Sequence, residues 1–580
     1  MTAEPNTNPE ASGALPAARQ KLFAVWIEFP PKVRLQGEGL LVVLANIVQS
    51  IAKRGDTRIV IGCASWSRNE LQLLLRQHGV PESQYEVITG SKRIPILVRI
   101  LRRTSEPTAW KKRPRGPLAG SLLAAVTRAF RTPILARALI TDNWLVFLLA
   151  LPLLIVLGLV GAVALVVLAL LQYLKMIGTG FKRLKTRLKA MRQQSSWKNR
   201  RWFWALVAFP KAVMTTLKWP ISAARAQLDT WLSQAYRLEF LRLAKHGKRK
   251  GVDVWYVANP GATFGLTEIK SPTVVTLADF VLFDFEFPFS RVWSWKDCVK
   301  AMDRLQTGAV HASATISFSN TVRDSHAVQK FQVPKERAFV VPHACPMLPT
   351  SLVADARQAR SLIREYLRSD LAARLSWTSR EIPGYIDNLD LGNLSYVFVS
   401  SQIRPHKNVM NMVRAMEELI RRRFISCKCV FSGNVNDLEA LAAHVLGHSL
   451  QYDILSLPRI PSRHHAAFYR CARLAVVPTL FEGGFPFPFS EAMSVGTPVV
   501  MSRIPVVEEV IPEELGKVML FDPYRPDDIA DKIEWGLKNR DELIAMQRPI
   551  FERLSSRTWD QVASEYLGIV EQVRSEAAVG

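Results

Sequence analysis

"LAVVPTLFEGGFPFPFSEAMSVGTPVV", Leu474 to Val500, decides how this chain is read. Its first seven residues are an apolar, β-branched run that predicts a buried strand. Glu482 follows, and then Gly483 and Gly484, where the backbone can turn tightly and expose its amides. A helix is expected from near Phe489 or Ser490, with Glu491 at its start. Gly496-Thr497-Pro498 ends that helix, and "PVVMS" reads as the next strand. Strand, glycine turn, helix and strand form one β-α-β unit, which implies a parallel sheet with right-handed crossovers.

The same alternation extends on both sides. Upstream come the strand "LSYVFVSSQ", the loop "RPHKN" and the helix "VMNMVRAMEELIRRR", with Val409, Met412, Val413, Met416, Leu419 and Ile420 on one face. "KCVFSGN" and "DILSLPRI" read as strands, and "SRHHAAFYRCA" as a helix. "KVMLFDP" and a helix from Asp527 complete this domain, assigned to residues 346–545, and residues 546–580 form a C-terminal helix and tail. A second alternating set is split. "KLFAVWIEF" and "TRIVIGCA" lie before residue 100. "VDVWYVANP", "TVVTLADFVLF", "ASATISFS" and "RAFVVPHA" lie after residue 250. Residues 21–100 and 251–345 therefore read as one domain. Two doubly wound domains leave a cleft at the carboxyl ends of their strands, where ligands bind. The polar, proline-containing residues 1–20 are expected to be a disordered tail.

The insertion at 101–250 has a different character. It holds 28 of the chain's 76 Lys and Arg residues and only four acids, so +24 of the net +26 lies there. Within it, Trp144–Leu171 is a 28-residue stretch without a charge. That exceeds the roughly 20 residues needed to span a bilayer core. Both flanks are basic, so the positive-inside rule puts both ends on the cytoplasmic face of the inner membrane. A re-entrant hairpin broken near Gly158 and Gly161 satisfies this, as does a return through Trp202–Ile221. The tryptophans and lysines of that second segment suit a helix lying in the interface better. An anionic membrane is the expected partner. No nucleic-acid recognition motif accompanies the charge. Six scattered cysteines match no zinc-site spacing, and Cys427 and Cys429 read as core residues of one strand.

In this architecture, Glu482 reaches the cleft edge and the following helix presents free amides and a positive dipole end to an anion. Glu491 can accept hydrogen bonds from two neighbouring hydroxyls. A ligand with a sugar, a diphosphate and a ribose in line suits such a site. The motif, together with "SSQIRPHKN" and "VVPHA", resembles the retaining GT-B glycosyltransferases of family 4. The resemblance is specific in 394–540, weaker in 21–60 and 251–345, where "GEGL" and "DVWYVANP" carry it, and absent from 101–250.

The resemblance implies two Rossmann-like domains facing a cleft and a nucleotide-sugar donor. It assigns the donor sugar to Glu482 with Gly483, Gly484 and Phe485, and the ribose to Glu491. Lys407 and Arg404 are expected to clamp the diphosphate, helped by the helix start at Ser490. Gly37, Gly39 and Asp279 are the acceptor-side candidates. No metal is expected. Three departures stand out: eight residues separate the glutamates, where the family has seven; Gln402 holds the position of the family's arginine; and "TLADFV" offers Ala278-Asp279 where many members have a histidine at a strand tip near the acceptor. A lipid-linked or glycan acceptor in capsule, exopolysaccharide or O-antigen assembly is expected. A catalytically silent membrane adaptor on the same fold is the alternative, and an epimerase or phosphorylase a third possibility.

Other residues read more plainly. Asp284 and Glu286 in "FDFEF" read as alternate acids of a strand lining a surface or cleft. His343 reads as a hinge residue, Arg323 as a solvated helix residue, and His464 and His465 as surface or packing residues.

Overall fold

The computed structural model describes residues 21–31, 35, 39–103, 141–152, 155–156, 219–258, 269–278, 280–285, 295–368, 385, 389–457 and 460–579. These form two α/β domains, each built on a wholly parallel sheet.

The N-terminal sheet has strands β1 (Lys21–Ile27), β2 (Thr57–Cys63), β3 (Tyr85–Thr89), β4 (Trp255–Val257), β5 (Thr273–Leu277), β6 (Ala314–Ser317) and β7 (Ala338–Val340), in the order β3-β2-β1-β4-β5-β6-β7. Its main helices are α1 (Gly39–Arg54), α2 (Arg68–Gln77), α3 (Ile96–Arg103), α4 (Trp219–Arg249), α5 (Trp295–His311) and the π-helical α6 (Val322–Lys330). The chain winds outward from β1 to β3, then returns to the other side of β1 with β4. The order therefore reverses between β1 and β4, the kind of switch point where a crevice opens.

The C-terminal sheet repeats this plan with β8 (Tyr396–Val399), β9 (Lys428–Phe431), β10 (Ile454–Ser456), β11 (Leu474–Val477), β12 (Val499–Ser502) and β13 (Leu520–Phe521), in the order β10-β9-β8-β11-β12-β13. Its switch point lies between β8 and β11. Its main helices are α7 (Ala356–Arg368), α8 (Val409–Arg421), α9 (Glu439–Gly447), α10 (Ser462–Cys471), α11 (Phe487–Ser494), α12 (Pro526–Lys538) and α13 (Arg540–Ser555). Strands β8, β11 and β12 are buried along their whole length. Helices cover both faces of such a sheet, which is why these strands read as unbroken apolar runs. On α8, the predicted face of Val409, Met412, Val413, Met416 and Leu419 is buried, while Ile420 is only partly covered.

The last helix, α14 (Trp559–Val579), crosses back to the N-terminal domain. Its Val562, Tyr566 and Val570 join the core formed by Phe23, Val25 and α1. Tyr566 meets Tyr256 edge-on at 5.3 Å, and Arg574 bonds Asp253 at 3.0 Å and the Leu22 carbonyl at 2.7 Å.

The C-terminal end of the basic segment is built into the N-terminal core. Trp231, Ala235, Tyr236, Phe240 and Leu243 of α4 are buried with Trp26 and Trp255. Each such large side chain contributes roughly 2–3 kcal/mol on burial. The helix also carries in Glu239, fully buried, whose Oε1 accepts from the amides of Ser65 at 2.8 Å and Ser91 at 3.2 Å. Glu28 is buried beside it and accepts from Tyr236 Oη at 2.7 Å and Trp26 Nε1 at 3.1 Å. A buried carboxylate without such donors would cost several kcal/mol. Helix and sheet meet closely because Gly90 has no side chain: a Cβ there would sit 1.9 Å from the Glu239 carbonyl oxygen.

Residues 144–152 are helical, and Phe147 and Ala150 pack into this same core. Trp144, Leu145, Leu148 and Leu149 stay exposed. No helix among the described residues is long and apolar enough to cross a membrane. Residues 153–154 and 157–218, which hold most of the apolar stretch and its basic tail, lie outside the described residues, as does the 1–20 tail.

Two local expectations are corrected. "FDFEF" is not a strand: Val281–Asp284 is one helical turn, and Glu286 lies outside the described residues. Asp284 instead pairs with His326 at 2.8 Å and Lys330 at 2.7 Å, a bracing contact to α6. "YEVIT" forms the edge strand β3, which the sequence reading passed over. Its Glu86 binds Arg58 and Lys250, and such charges are common on edge strands.

Candidate active site

Lys407 and Glu482 meet at the C-terminal switch point. Lys407 ends a short 3₁₀ turn, Pro405–Lys407, after β8, and Glu482 follows β11, its parallel neighbour. Lys407 Nζ donates directly to Glu482 Oε1, and both side chains are part-buried.

Backbone contacts fix the two loops to each other. The Leu480 amide donates to the His406 carbonyl at 2.7 Å, and Thr479 Oγ1, 3.3 Å from that oxygen, donates to the Phe481 carbonyl at 2.8 Å. After Lys407, Asn408 takes a left-handed conformation with φ of 55°. Asn tolerates that region better than most residues. Its Nδ2 donates to the Pro523 carbonyl at 2.6 Å, which fixes the start of α8. His406 is buried between these cations. Burial, then the Lys407 and Arg404 charges, push its pKa down to about 3. Arg404 itself is exposed and has no ion-pair partner among the described residues.

The glycine turn continues into the N-terminal domain. Ser319 Oγ donates to the Gly483 carbonyl at 3.0 Å. A Cβ on Gly484 would lie 2.9 Å from Phe318 Cβ, so only glycine allows this approach. Phe481 packs in the N-terminal core, edge-on to His326 at 5.8 Å. Among the described residues, the amides of Gly483, Gly484 and Phe485 have no hydrogen-bond partner. Three such donors in a row beside a lysine make an anion site. Phe485 packs edge-on to Phe489 at 5.3 Å.

Helix α11 begins at Phe487, ahead of the expected Phe489 or Ser490. Pro486 is its cap and Pro488 lies inside its first turn, so the helix start offers fewer amides than expected. Ser490 is buried in the second turn, with its side chain bonded towards Cys345. Glu491 is largely buried and accepts from Tyr469 Oη at 3.1 Å. Desolvation raises its pKa above the ordinary carboxylate range. Close to Tyr469, His465 shares a 2.8 Å hydrogen bond with Ser400, and burial lowers its pKa to about 4. His464 is also buried, so neither histidine is a surface residue.

On the N-terminal side, Gly39 opens α1 after β1, at that sheet's switch point, with open space where a Cβ would stand. Gly37 and Asp279 lie outside the described residues. His343 sits between the domains, against Phe318 of one and Phe487 of the other, with ring centroids 3.8 and 5.2 Å away. Burial and Arg557 hold its pKa down to about 3. Arg323 is mostly covered and pairs with its neighbour Asp324. Glu509 bonds the amides of Asn320 and Thr321 at the start of α6, a domain tie that "VVEEV" did not signal.

The fold and site thus define a two-domain α/β protein with a lysine–carboxylate pair and partnerless loop amides at the switch point of its C-terminal sheet. Residues 388–549 match the family "Glycosyl transferases group 1". An uncharacterized glycosyltransferase of Methanocaldococcus jannaschii is 26% identical over 170 residues, which are 28% of this chain and 41% of that protein. Among solved structures, Anabaena HepE in complex with UDP is similar at 12% identity and a TM-score of 0.46, covering 97% of this chain and all of that one. Sucrose-phosphate synthase from Thermosynechococcus elongatus is similar at 17% identity and a TM-score of 0.45, covering 61% of this chain and 80% of that one.

Proposed function

We propose that the chain is a membrane-associated glycosyltransferase that moves a hexosyl residue from a nucleotide-sugar to a lipid-linked or polysaccharide acceptor, with retention of configuration. The observation that carries this is the Lys407–Glu482 pair at the switch point, beside the partnerless amides of Gly483, Gly484 and Phe485. The family match over 388–549 supports the reaction class.

In this reading the diphosphate takes Lys407 from Glu482, and Glu482 turns to a hydroxyl of the donor sugar. Arg404, unengaged and exposed, closes on the same phosphates. Glu491 grips the ribose. The bond between the anomeric carbon and the phosphate oxygen breaks, and its electron pair leaves with the nucleoside diphosphate. The acceptor oxygen bonds that carbon on the same face, and its proton passes to the departing phosphate. Lys407 and the loop amides stabilise the charge that grows there, the largest catalytic contribution in such a step. That charge falls to side chains and amides, so the reading calls for no metal.

The exposed Trp144, Leu145, Leu148 and Leu149 and the +24 segment support a site on the cytoplasmic face of the inner membrane. Capsule, exopolysaccharide or O-antigen assembly would use such an enzyme. Membranes containing the protein, incubated with a panel of labelled nucleotide-sugars, are expected to transfer label from at least one donor into the lipid extract. Absence of label from every donor, with the protein present and folded, would sink this function and favour an adaptor.

A further inference from the structure

Away from the cleft, α8 and α9 bring together Glu417, His444 and His448. His444 lies in the last turn of α9 and His448 caps it four residues on, a spacing that puts both rings on one face. The rings stack with centroids 4.0 Å apart and planes at 25°. Glu417 of α8 faces them, with Oε2 3.2 Å from His444 Nε2 and Oε1 2.7 Å from His448 Nδ1. One ligand atom from each residue can be chosen so that all lie within 4.8 Å of one another.

That spacing is within side-chain reach of a metal site. Bonds of about 2.0–2.1 Å in a tetrahedral zinc centre place neighbouring ligand atoms roughly 3.3 Å apart. The two contacts run to different oxygens of Glu417, and with one atom from each residue the set lies within 4.8 Å, so the side chains close by up to about 1.5 Å around a bound ion. Two imidazoles and a carboxylate suit a borderline divalent cation, whereas calcium and magnesium prefer oxygen ligands. Glu417 and His444 are part-buried and His448 is exposed, which leaves an entry path. The neighbouring Arg421 guanidinium is turned to the Ser449 carbonyl, 3.2 Å away.

We propose that Glu417, His444 and His448 form a binding site for a zinc-class divalent cation, with water in the fourth position, tying α8 to α9. The site uses no residue of the cleft and stands independently of the function proposed above. The competing account is a carboxylate that only accepts hydrogen bonds from two histidines.

Chelator-treated full-length protein, titrated with Co²⁺ and then Zn²⁺ at neutral pH, separates the two. The expected result is one equivalent of Co²⁺ with tetrahedral or five-coordinate visible bands and no thiolate charge-transfer band, displaced by Zn²⁺. His448→Ala and Glu417→Gln should each weaken Zn²⁺ binding by more than about tenfold, with the circular dichroism of the parent. Should the alanine variant fail to fold, Glu417→Gln carries the test. Absence of the Co²⁺ bands, a thiolate band placing the metal on cysteine, or parental affinity in the folded variants would each overturn the site.

Discussion

Lys407→Ala is expected to lower the turnover of sugar transfer by about 10²–10³-fold, or roughly 3–4 kcal/mol of barrier, the cost of losing one preorganised donor to a developing oxyanion. The lysine stands at the β8–β11 switch point, fixed by Asn408 on one side and by the His406–Leu480 bond on the other. Its partner Glu482 makes the loss worse, because the variant leaves that carboxylate facing the phosphates without its cation. Lys407→Arg keeps the charge but changes its reach, and should recover part of the rate. Turnover and KM measured for both variants check this. If alanine raises KM and leaves turnover intact, the lysine only binds substrate.

The second large effect is acid lability. His343, His406 and His465 have folded pKa values of about 3, 3 and 4, against an ordinary 6.5. The unfolded chain therefore binds more protons than the folded one between those values. Stability from these groups is complete above pH 6.5 and is lost as pH falls towards the folded pKa. At pH 5 each histidine withdraws about 2 kcal/mol, at 1.36 kcal/mol per pH unit. Together that is about 6 kcal/mol, comparable with the whole stability of many domains. Glu491 and Asp437 have the opposite sign, since their raised pKa values add stability as pH falls, while His78, also lowered by burial, adds to the histidine side. Thermal melts should show Tm dropping steeply from pH 7 to pH 5, and less steeply in His343→Phe, which keeps the ring between Phe318 and Phe487. A flat Tm over that range would refute the burial of these imidazoles.

Why some of this was legible in the sequence and some not has physical causes. Doubly covered parallel strands require apolar runs, so β1, β2, β8, β11 and β12 declared themselves. The edge strand β3 is covered less and carries Glu86, so its pattern was faint. "TVVTLADFVLF" keeps its apolar character through the helical turn at Val281–Asp284, where composition alone does not separate strand from helix. The destination of α14 is a tertiary choice, set by Tyr256 and Asp253 more than 300 positions earlier in the chain. Nor did the basic insertion advertise that α4 carries Glu239 into the core, because only Gly90 and the amides of Ser65 and Ser91 make that burial possible. In the site, Lys407 and Glu482 were legible as a motif and are joined in space. Ser490 was placed at a helix start that begins three residues earlier. Tyr469, Ser319 and Glu509 act through single hydrogen bonds between distant segments, for which a lone sequence carries no signal.

Calorimetric titration of UDP and of GDP into the purified protein tests the nucleoside diphosphate site most directly. At least one is expected to bind with one-to-one stoichiometry, and Glu491→Ala and Lys407→Ala should each weaken it by about tenfold or more, at least 1.4 kcal/mol. Binding of neither nucleotide, or binding that both variants leave untouched, would contradict the site.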